Sequence, residues 1–466
     1  IVLALLYVLL SDFSFTPVVF LSILLLIILA SKNELFREQL IYSWEWRTID
    51  GIIIGALSLL YIVIGVYNLP DFPHRRHHFI SFFLFPSEKI WFSGLLAIIA
   101  VSFMIVLFVH FLQGEKKQIG EAFNEEKALK ILTTYGGNSD SQLIFLKDKR
   151  MFAYEKDGEP TVLLQFACFN NKCIVMGDPS GKKEDFPEAI EAFIEETDRL
   201  CYLPVFYETS EEIVMILHEF GYDFIKMGEE AYVDLNSFTT SGKKMKGTRA
   251  VLNRIEREGF TFDVLQPPFS TEQMSTFKNI SDNWLGSRKE KGFSLGFFSE
   301  DYLQRAPIAV VKNTQEEIVA FATIMPTYTN NKVGTIDLMR YDSKKAPSGS
   351  MDFLFLHLFA YMKEEHIQWF NLGMAPLSNV GTSRKSFLQE RIAYLVYEFG
   401  SHFYSFHGLR EYKSKYATNW VSRYTLYSRD SWIAYVMIAL LIIDNAPVEQ
   451  TQGRISGLKK WIRRKY

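Results

Sequence analysis

The sequence predicts membrane-spanning α-helices followed by an α/β region made of two similar units in tandem. Three observations predict it. Long runs without charge occupy much of residues 1–112, and about 20 apolar residues suffice for a helix to cross a bilayer. From residue 114 the charged residues return, and β-rich runs alternate with amphipathic ones, as in strands packed under helices. That alternation occurs twice, with a pause at Ser237-Phe238-Thr239-Thr240-Ser241-Gly242. The expected division is residues 1–113 as membrane helices, 114–238 as a first α/β unit, 239–430 as a second, and 431–466 as an apolar helix with a basic tail.

In the membrane part, residues 1–30 are too long for one span and are broken by Ser11-Asp12. They read as the end of one span and a second around 16–30. Further spans are expected over Gly51 to Tyr67 and Ile90 to Leu112. The chain opens inside an apolar run, which reads as a piece of a longer protein with more spans ahead of it. Lys116 and Lys117 on one side of the last span, and Arg75, Arg76 and Lys89 on the other, leave the orientation undecided by charge. His74, His77 and His78 stand among those arginines and read as an interfacial basic loop.

Composition excludes some classes. With 22% charged residues the chain is not wholly embedded. A net charge of −3 excludes bulk attraction to a polyanion, so a nucleic-acid or headgroup site must be a local basic patch. The cysteines Cys168, Cys173 and Cys201 lack metal-ligand spacing and are expected as reduced thiols, although Cys168 and Cys173 can sit on facing strands.

The globular elements follow in order. Glu121 to Thr133 has helical periodicity. Gln142 to Phe145, Met151 to Tyr154, Thr161 to Phe169 and Cys173 to Gly177 read as strands, the last ending in the Gly177-Asp178-Pro179-Ser180-Gly181 turn. Phe186 to Leu200 reads as a helix, Val205 to Tyr207 as a strand and Glu211 to Phe220 as a helix. The second cycle has a basic helix over 243–258, a helix over Thr271 to Leu285, and strands over Ile308 to Lys312, Ile318 to Pro326 and Val333 to Arg340. It closes with the loop Lys344 to Ser350, a helix over Met351 to Glu365 and a strand over Trp369 to Met374. Strand, glycine-containing loop, helix, strand is how acyltransfer folds hold a carrier group. The spaced glycines of a coenzyme A loop are missing, since only Gly349 is present, so coenzyme A is not the expected donor. Residues 431–443 are apolar but short for a span and read as a packed or interface-lying helix. The tail Lys459-Lys460-Trp461-Ile462-Arg463-Arg464-Lys465-Tyr466 suits anionic lipid or plain solvent.

Gly136-Gly137-Asn138-Ser139, Gly177-Asp178-Pro179, the run from Trp284 to Phe298, Asn371-Leu372-Gly373-Met374-Ala375-Pro376-Leu377 and Gly408-Leu409-Arg410 together resemble the aminoacyl-phosphatidylglycerol synthase family over roughly residues 114–430. These are the bacterial lysylphosphatidylglycerol synthetases, or multiple peptide resistance factors. The resemblance implies tandem acetyltransferase-like (GNAT) domains in the cytoplasm behind a flippase-like membrane region of a bacterial cell membrane. It implies transfer of an aminoacyl group, usually lysyl, from aminoacyl-tRNA to the glycerol hydroxyl of phosphatidylglycerol, without a cofactor. The partners implied are aminoacyl-tRNA, phosphatidylglycerol and the membrane, with self-association left open. The product lowers the negative charge of the bilayer and so resists cationic antimicrobial peptides. A tRNA-dependent peptidoglycan-branching transferase and a non-catalytic flippase or headgroup-binding module are the rivals.

The donor ester is already activated, so direct transfer needs positioning, a proton acceptor and oxyanion stabilisation. The sequence has no Gly-x-Ser-x-Gly elbow, P-loop or metal-ligand cluster, in keeping with that. The resemblance places Asp337 and Arg340 in the catalytic site, the acid for a cationic amine and the arginine for a phosphate or carbonyl oxygen. Three residues apart on a strand, they share a face only if the strand ends or bulges between them; the alternative is a structural ion pair. Glu398, among aromatics, is the third catalytic candidate, because a buried carboxylate needs a partner. Arg410, Lys413 and Lys415 form a basic cluster for the lipid phosphate or the tRNA acceptor end. Lys246, Arg249 and Arg257 fall near one helix face with Asn253 and suit a tRNA backbone. Glu290 reads as a surface residue. Acidity at Asp337 and Glu398 points to lysine over alanine as the transferred residue.

Overall fold

The computed structural model describes residues 41–67, 117–243, 245–330, 332–391 and 406–446, with scattered positions between 19 and 39 and between 94 and 108. The chain divides into two compact units, one of residues 1–119 with 195–202 and one of 120–194 with 203–466.

In the first unit, helix α1 (Trp44–Tyr67) begins seven residues before the expected span. Its stretch Trp44–Val63 is the one long apolar helix among the described residues that can cross a bilayer. Ile52, Leu57, Leu59, Leu60 and Val63 all face outward, as suits a lipid solvent. The expected spans at 16–30 and 90–112 lie largely outside the described residues, as does the histidine loop.

The second unit carries the α/β elements. In chain order they are α2 (Glu125–Tyr135), β1 (Arg150–Lys156), β2 (Glu159–Phe169), β3 (Lys172–Met176), β4 (Ser180–Gly181), α3 (Phe186–Arg199), β5 (Leu203–Thr209), α4 (Glu211–Glu219) and β6 (Tyr222–Asp234). Then come α5 (Lys246–Arg257), β7 (Thr261–Leu265), α6 (Thr271–Leu285), α7 (Glu300–Leu303), β8 (Ile308–Lys312), β9 (Ile318–Met325), β10 (Val333–Tyr341), α8 (Ser350–Glu364) and β11 (Trp369–Pro376). The last are α9 (Phe406–Ser414), β12 (Asn419–Ser428) and α10 (Ile433–Asp444). Local chemistry starts these helices: Asn124 accepts from the Lys127 amide to cap α2, and Ser270 and Gln273 form a reciprocal capping box on α6.

The strands form one sheet in the order β1-β2-β3-β5-β12-β6-β11-β10-β9-β8-β7, with β4 beside β2. Each half is a meander of antiparallel strands followed by a parallel neighbour reached through a helix. The parallel pairs are β3 with β5 and β10 with β11. The halves are not simply consecutive. The last strand, β12, lies between β5 and β6, while β6 lies between β12 and β11. Each half thus closes its sheet with a strand from the other, and the pause near residue 238 is a change of sheet region within one continuous sheet. Sequence order conceals this exchange because β6 and β12 are about 200 residues apart.

Two local expectations change. Gln142 to Phe145 is not a strand but part of a buried 3₁₀ turn, Ser141–Leu146; a short apolar run fits a buried helical turn as well as a buried strand. Cys168 and Cys173 are not reduced thiols but a disulfide, because the β2–β3 hairpin sets them directly opposite each other. Cys201 stands outside that bridge, and its thiol donates to the Gln39 carbonyl at 2.7 Å.

Candidate active site

Four β-bulges cluster where the halves meet. Tyr207 and Glu208 of β5 oppose Thr425 alone, Met227 of β6 is extra against β12, Asp337 and Leu338 of β10 oppose Thr323, and Leu372 and Gly373 of β11 oppose Ala231. A bulge re-aims side chains and is common beside active sites. Glu208 takes a left-handed φ of 61°, a conformation seldom adopted outside glycine and often met at functional sites.

These bulges aim carboxylates inward. Glu230 of β6 is buried and accepts from Arg423 Nε at 2.7 Å, Tyr232 Oη at 3.0 Å and Asn371 Nδ2 at 2.6 Å. Asn371 also donates to Ser139 Oγ at 2.9 Å, which ties the 136–140 loop to β11. Burial, reinforced by Glu230, pushes the Asp140 carboxyl up to about 7. Burial, with Asp140 and Glu230 nearby, pushes Glu208 up to about 8. Burial raises Asp178 as well, against the pull of Arg423. Beside them, Lys413 of α9 donates to the Met374 carbonyl at 2.8 Å; burial lowers its ammonium to about 8, against Glu230 and Glu208. Asp140, Glu208 and Lys413 nevertheless keep part of their surface accessible, so this interior is open to a ligand.

Asp337 continues the cluster. It accepts from the Gly296 amide at 2.9 Å and from Tyr302 Oη at 3.1 Å, and burial pushes it up to about 6 against those bonds. A β-carbon on Gly296 would overlap this carboxylate. Asp444, at the end of α10, accepts from Ser294 Oγ at 2.8 Å, its backbone carbonyl accepts from the Gly292 amide at 3.2 Å, and burial raises its carboxyl too. Lys149 acts electrostatically on Asp140, Asp337 and Asp444 and is fixed by Asp148 at 2.7 Å and the Leu143 carbonyl at 3.2 Å. Carboxylates outnumber the cations Lys149, Lys413 and Arg423 here. Raised carboxyl pKa values express a local shortage of positive charge, which an incoming cation relieves.

The candidates read from sequence are distributed as follows. The bulge at Asp337 and Leu338 gives Asp337 and Arg340 a common side, but Arg340 is not free for a substrate. It is buried, forms a two-pronged pair with Glu290 at 2.7 and 2.8 Å, bonds Ser281 Oγ, and stacks on Trp284 at 4.9 Å. Glu290 is therefore a structural partner and not a bare surface acid. Glu398 lies outside the described residues. Arg410 pairs with Glu229 and Ser378 and lies over Trp420 at 4.4 Å. Lys413 enters the acidic cluster. Lys415 instead lines a separate surface cleft of about 390 Å³ with Met245, Gly247, Thr248, Val251 and Asp352.

On α5, Lys246 and Arg257 are exposed, but Arg249 donates to the Thr240 and Gly242 carbonyls and anchors the preceding loop. Arg257 also donates to the Asn253 carbonyl at 3.0 Å.

Sequence reasoning passed over Asp140, Glu208, Glu230, Asp444, Lys149 and Arg423. One signal was available: two successive acids, Glu229 and Glu230, in a strand must point to opposite faces, so one points inward. The rest depend on the strand exchange.

The family model described as phosphatidylglycerol lysyltransferase, C-terminal, matches residues 129–427. A phosphatidylglycerol lysyltransferase of Bacillus subtilis (strain 168) is 41% identical over 432 residues, 92% of this chain and 49% of the relative. One of Staphylococcus aureus (strain COL) is 37% identical over 390 residues, 83% of this chain and 45% of the relative. The chain thus spans about half the length of the curated relatives it matches. Among solved structures, L-PGS from Bacillus licheniformis is 48% identical with a TM-score of 0.62, covering 70% of this chain and 99% of its own. The C-terminal domain of a putative lysylphosphatidylglycerol synthetase from Agrobacterium fabrum is 32% identical with a TM-score of 0.61, covering 70% and 97%.

Proposed function

Since the chain belongs to the phosphatidylglycerol lysyltransferase C-terminal family, we propose that it transfers a lysyl group from lysyl-tRNA to the glycerol hydroxyl of phosphatidylglycerol. The observation that carries this reading is the surplus of inward carboxylates around Glu208. An esterified lysine presents two ammonium groups, and alanine only one. Asp140, Glu208, Glu230 and Asp337 offer the charge that the first of these requires.

In the reaction the lipid hydroxyl attacks the ester carbonyl, a tetrahedral oxyanion forms, and the 3′-terminal ribose oxygen leaves with a proton. The protein's part is to hold the aminoacyl end, exclude water and accept the hydroxyl proton. Lys413, whose burial makes it a proton acceptor near pH 8, is the group we assign to that transfer. The donor's phosphates would meet Lys246 and Arg257 by charge and shape. The reaction is placed at the cytoplasmic face of a bacterial membrane, where tRNA is present. Its product carries less negative charge than its substrate, which weakens attraction of cationic peptides.

The test is the full chain in phosphatidylglycerol vesicles with labelled Lys-tRNA or Ala-tRNA, following label into lipid. Label from Lys-tRNA alone is expected. Glu208→Gln and Asp140→Asn should each lower kcat/KM roughly 10- to 100-fold, the loss of one charge-assisted contact. Absence of lipid label from both donors, with the protein folded, sinks the proposal.

A further inference from the structure

Among the described residues, nothing packs on one apolar side of helix α10. Val436, Ala439, Leu440 and Ile443 pack inward with Ile174, Met176, Val205 and Tyr207. The other side exposes Trp432, Ile438, Leu441 and Ile442, at 47, 38, 60 and 36%. The helix has no charge between Ser431 and Ile443, which is unusual for a helix facing water. Trp432 and Tyr435 stand together at its start with ring centroids 6.0 Å apart, the kind of residues that settle at headgroup level.

A second exposed feature is rooted in the cluster that packs under α10. The segment 381–391 follows β11 and puts Phe387 and Leu388 outward at 77 and 69%. It carries Arg384, Lys385 and Arg391 against a single acid, Glu390. Its base is fixed: the Leu377 amide donates to the Met227 carbonyl at 2.6 Å, and Asn379 Nδ2 to Glu229 at 2.8 Å. Leu377 and Tyr427 belong to the same packed cluster as the inward face of α10, and Glu390 acts electrostatically on Tyr427.

The geometry points to one surface, α10 with the 381–391 segment, that seats on an anionic lipid bilayer. The apolar side chains enter the headgroup–acyl boundary, and the basic residues meet lipid phosphates. Charge complementarity decides for a bilayer over an apolar protein groove, since the exposed Phe387 and Leu388 are flanked by Arg384, Lys385 and Arg391. Asp444, where α10 ends, already reaches Ser294 beside the acidic cluster, so the seated surface borders the candidate active site. The surface therefore also supplies the edge over which a lipid headgroup reaches the carboxylates; this last step rests on the proposed transfer.

The experiment uses the full chain in vesicles of phosphatidylglycerol or of phosphatidylcholine. Leu441 or, separately, Phe387 is replaced by photoreactive benzoylphenylalanine, with Met215 on α4 as an equally exposed control at 68%. Irradiation followed by mass spectrometry should give lipid adducts at 441 and 387, more with phosphatidylglycerol, and few at 215. Adducts to this chain's own membrane helices, to a second copy, or equally at all three sites overturn the assignment. Transfer is measured alongside on bilayer and on monomeric short-chain phosphatidylglycerol. The Leu441→Glu/Phe387→Glu variant should lose about tenfold or more with bilayer substrate, as expected when large apolar side chains leave the membrane, and keep its rate with the monomeric one. Equal loss on both substrates also overturns it. If the parent transfers to neither substrate, the transfer reading fails, while the adducts still decide the docking.

Discussion

Glu208→Gln should make the fold more stable and the enzyme worse, and the gain should depend on pH in a defined way. Glu208 sits deep in the protein with its carboxyl pushed up from 4.5 to about 8. Below pH 4.5 the folded and unfolded states both hold the proton, and Glu208 contributes no pH-dependent difference. Between 4.5 and 8 the unfolded chain releases the proton while the folded one keeps it, so stability falls as pH rises. Above 8 the loss is complete. Gln never ionises and escapes this loss.

At about 1.4 kcal/mol per pH unit, the interval gives at most about 5 kcal/mol. Solvent reaching this partly accessible carboxyl screens it, leaving roughly 2–3 kcal/mol. For the full chain in detergent, thermal unfolding followed at pH 4.5, 6.5 and 9 should show near-coincident curves at the first pH and a stabilised variant at the last. The variant's shortfall in lysyl transfer relative to the parent should grow over the same range. Equal stabilisation at every pH, or none at pH 9, refutes a carboxyl raised by burial there.

Three further outcomes are expected. Gly296→Ala should lower transfer by about tenfold or more, since its β-carbon displaces the Asp337 carboxylate from two hydrogen bonds; lipid label at the parent rate would show that Asp337 need not be held. Arg340→Met strands the half-buried Glu290 and should cost about 3 kcal/mol in a denaturation series, with KM unchanged for the folded fraction; a raised KM at parental stability would return Arg340 to the substrate site. Lys413→Arg, charged at all working pH values, should erase the ascending limb near pH 8 from the pH–rate profile; a limb that survives assigns the proton to another group.

Much of the fold was legible because hydrophobic period and turn chemistry are local. The strands at 161–169, 308–312 and 333–340, the helices at 186–200 and 271–285, and the loop before α8 all follow from nearby residues. What escaped was long-range. Nothing near residue 419 states that β12 pairs with β5 and β6, and without that pairing Arg423 cannot be set against Glu230. Asp337 and Lys413 were legible as chemistry-bearing residues, yet their surroundings were not. Arg340 shows the limit from the other side: its charge suggested a ligand, while its partner Glu290 lay 50 residues away in a stretch that reads as surface. The Cys168–Cys173 bridge turned on hairpin register, which composition does not contain.

The interlocked placement of β6 and β12 sets an order of assembly. As the chain leaves the ribosome, residues 120–238 emerge with a gap between β5 and β6 that only residues 419–428 fill. Long-range closures of this kind are slow, and they leave strand edges uncovered in the meantime. The repulsive carboxylates are therefore brought together only after residues 419–428 are made, when Arg423 arrives on the same strand that seals the sheet. A chain truncated before 419 lacks both the seal and the counter-charge, so partial products have no route to a competent centre.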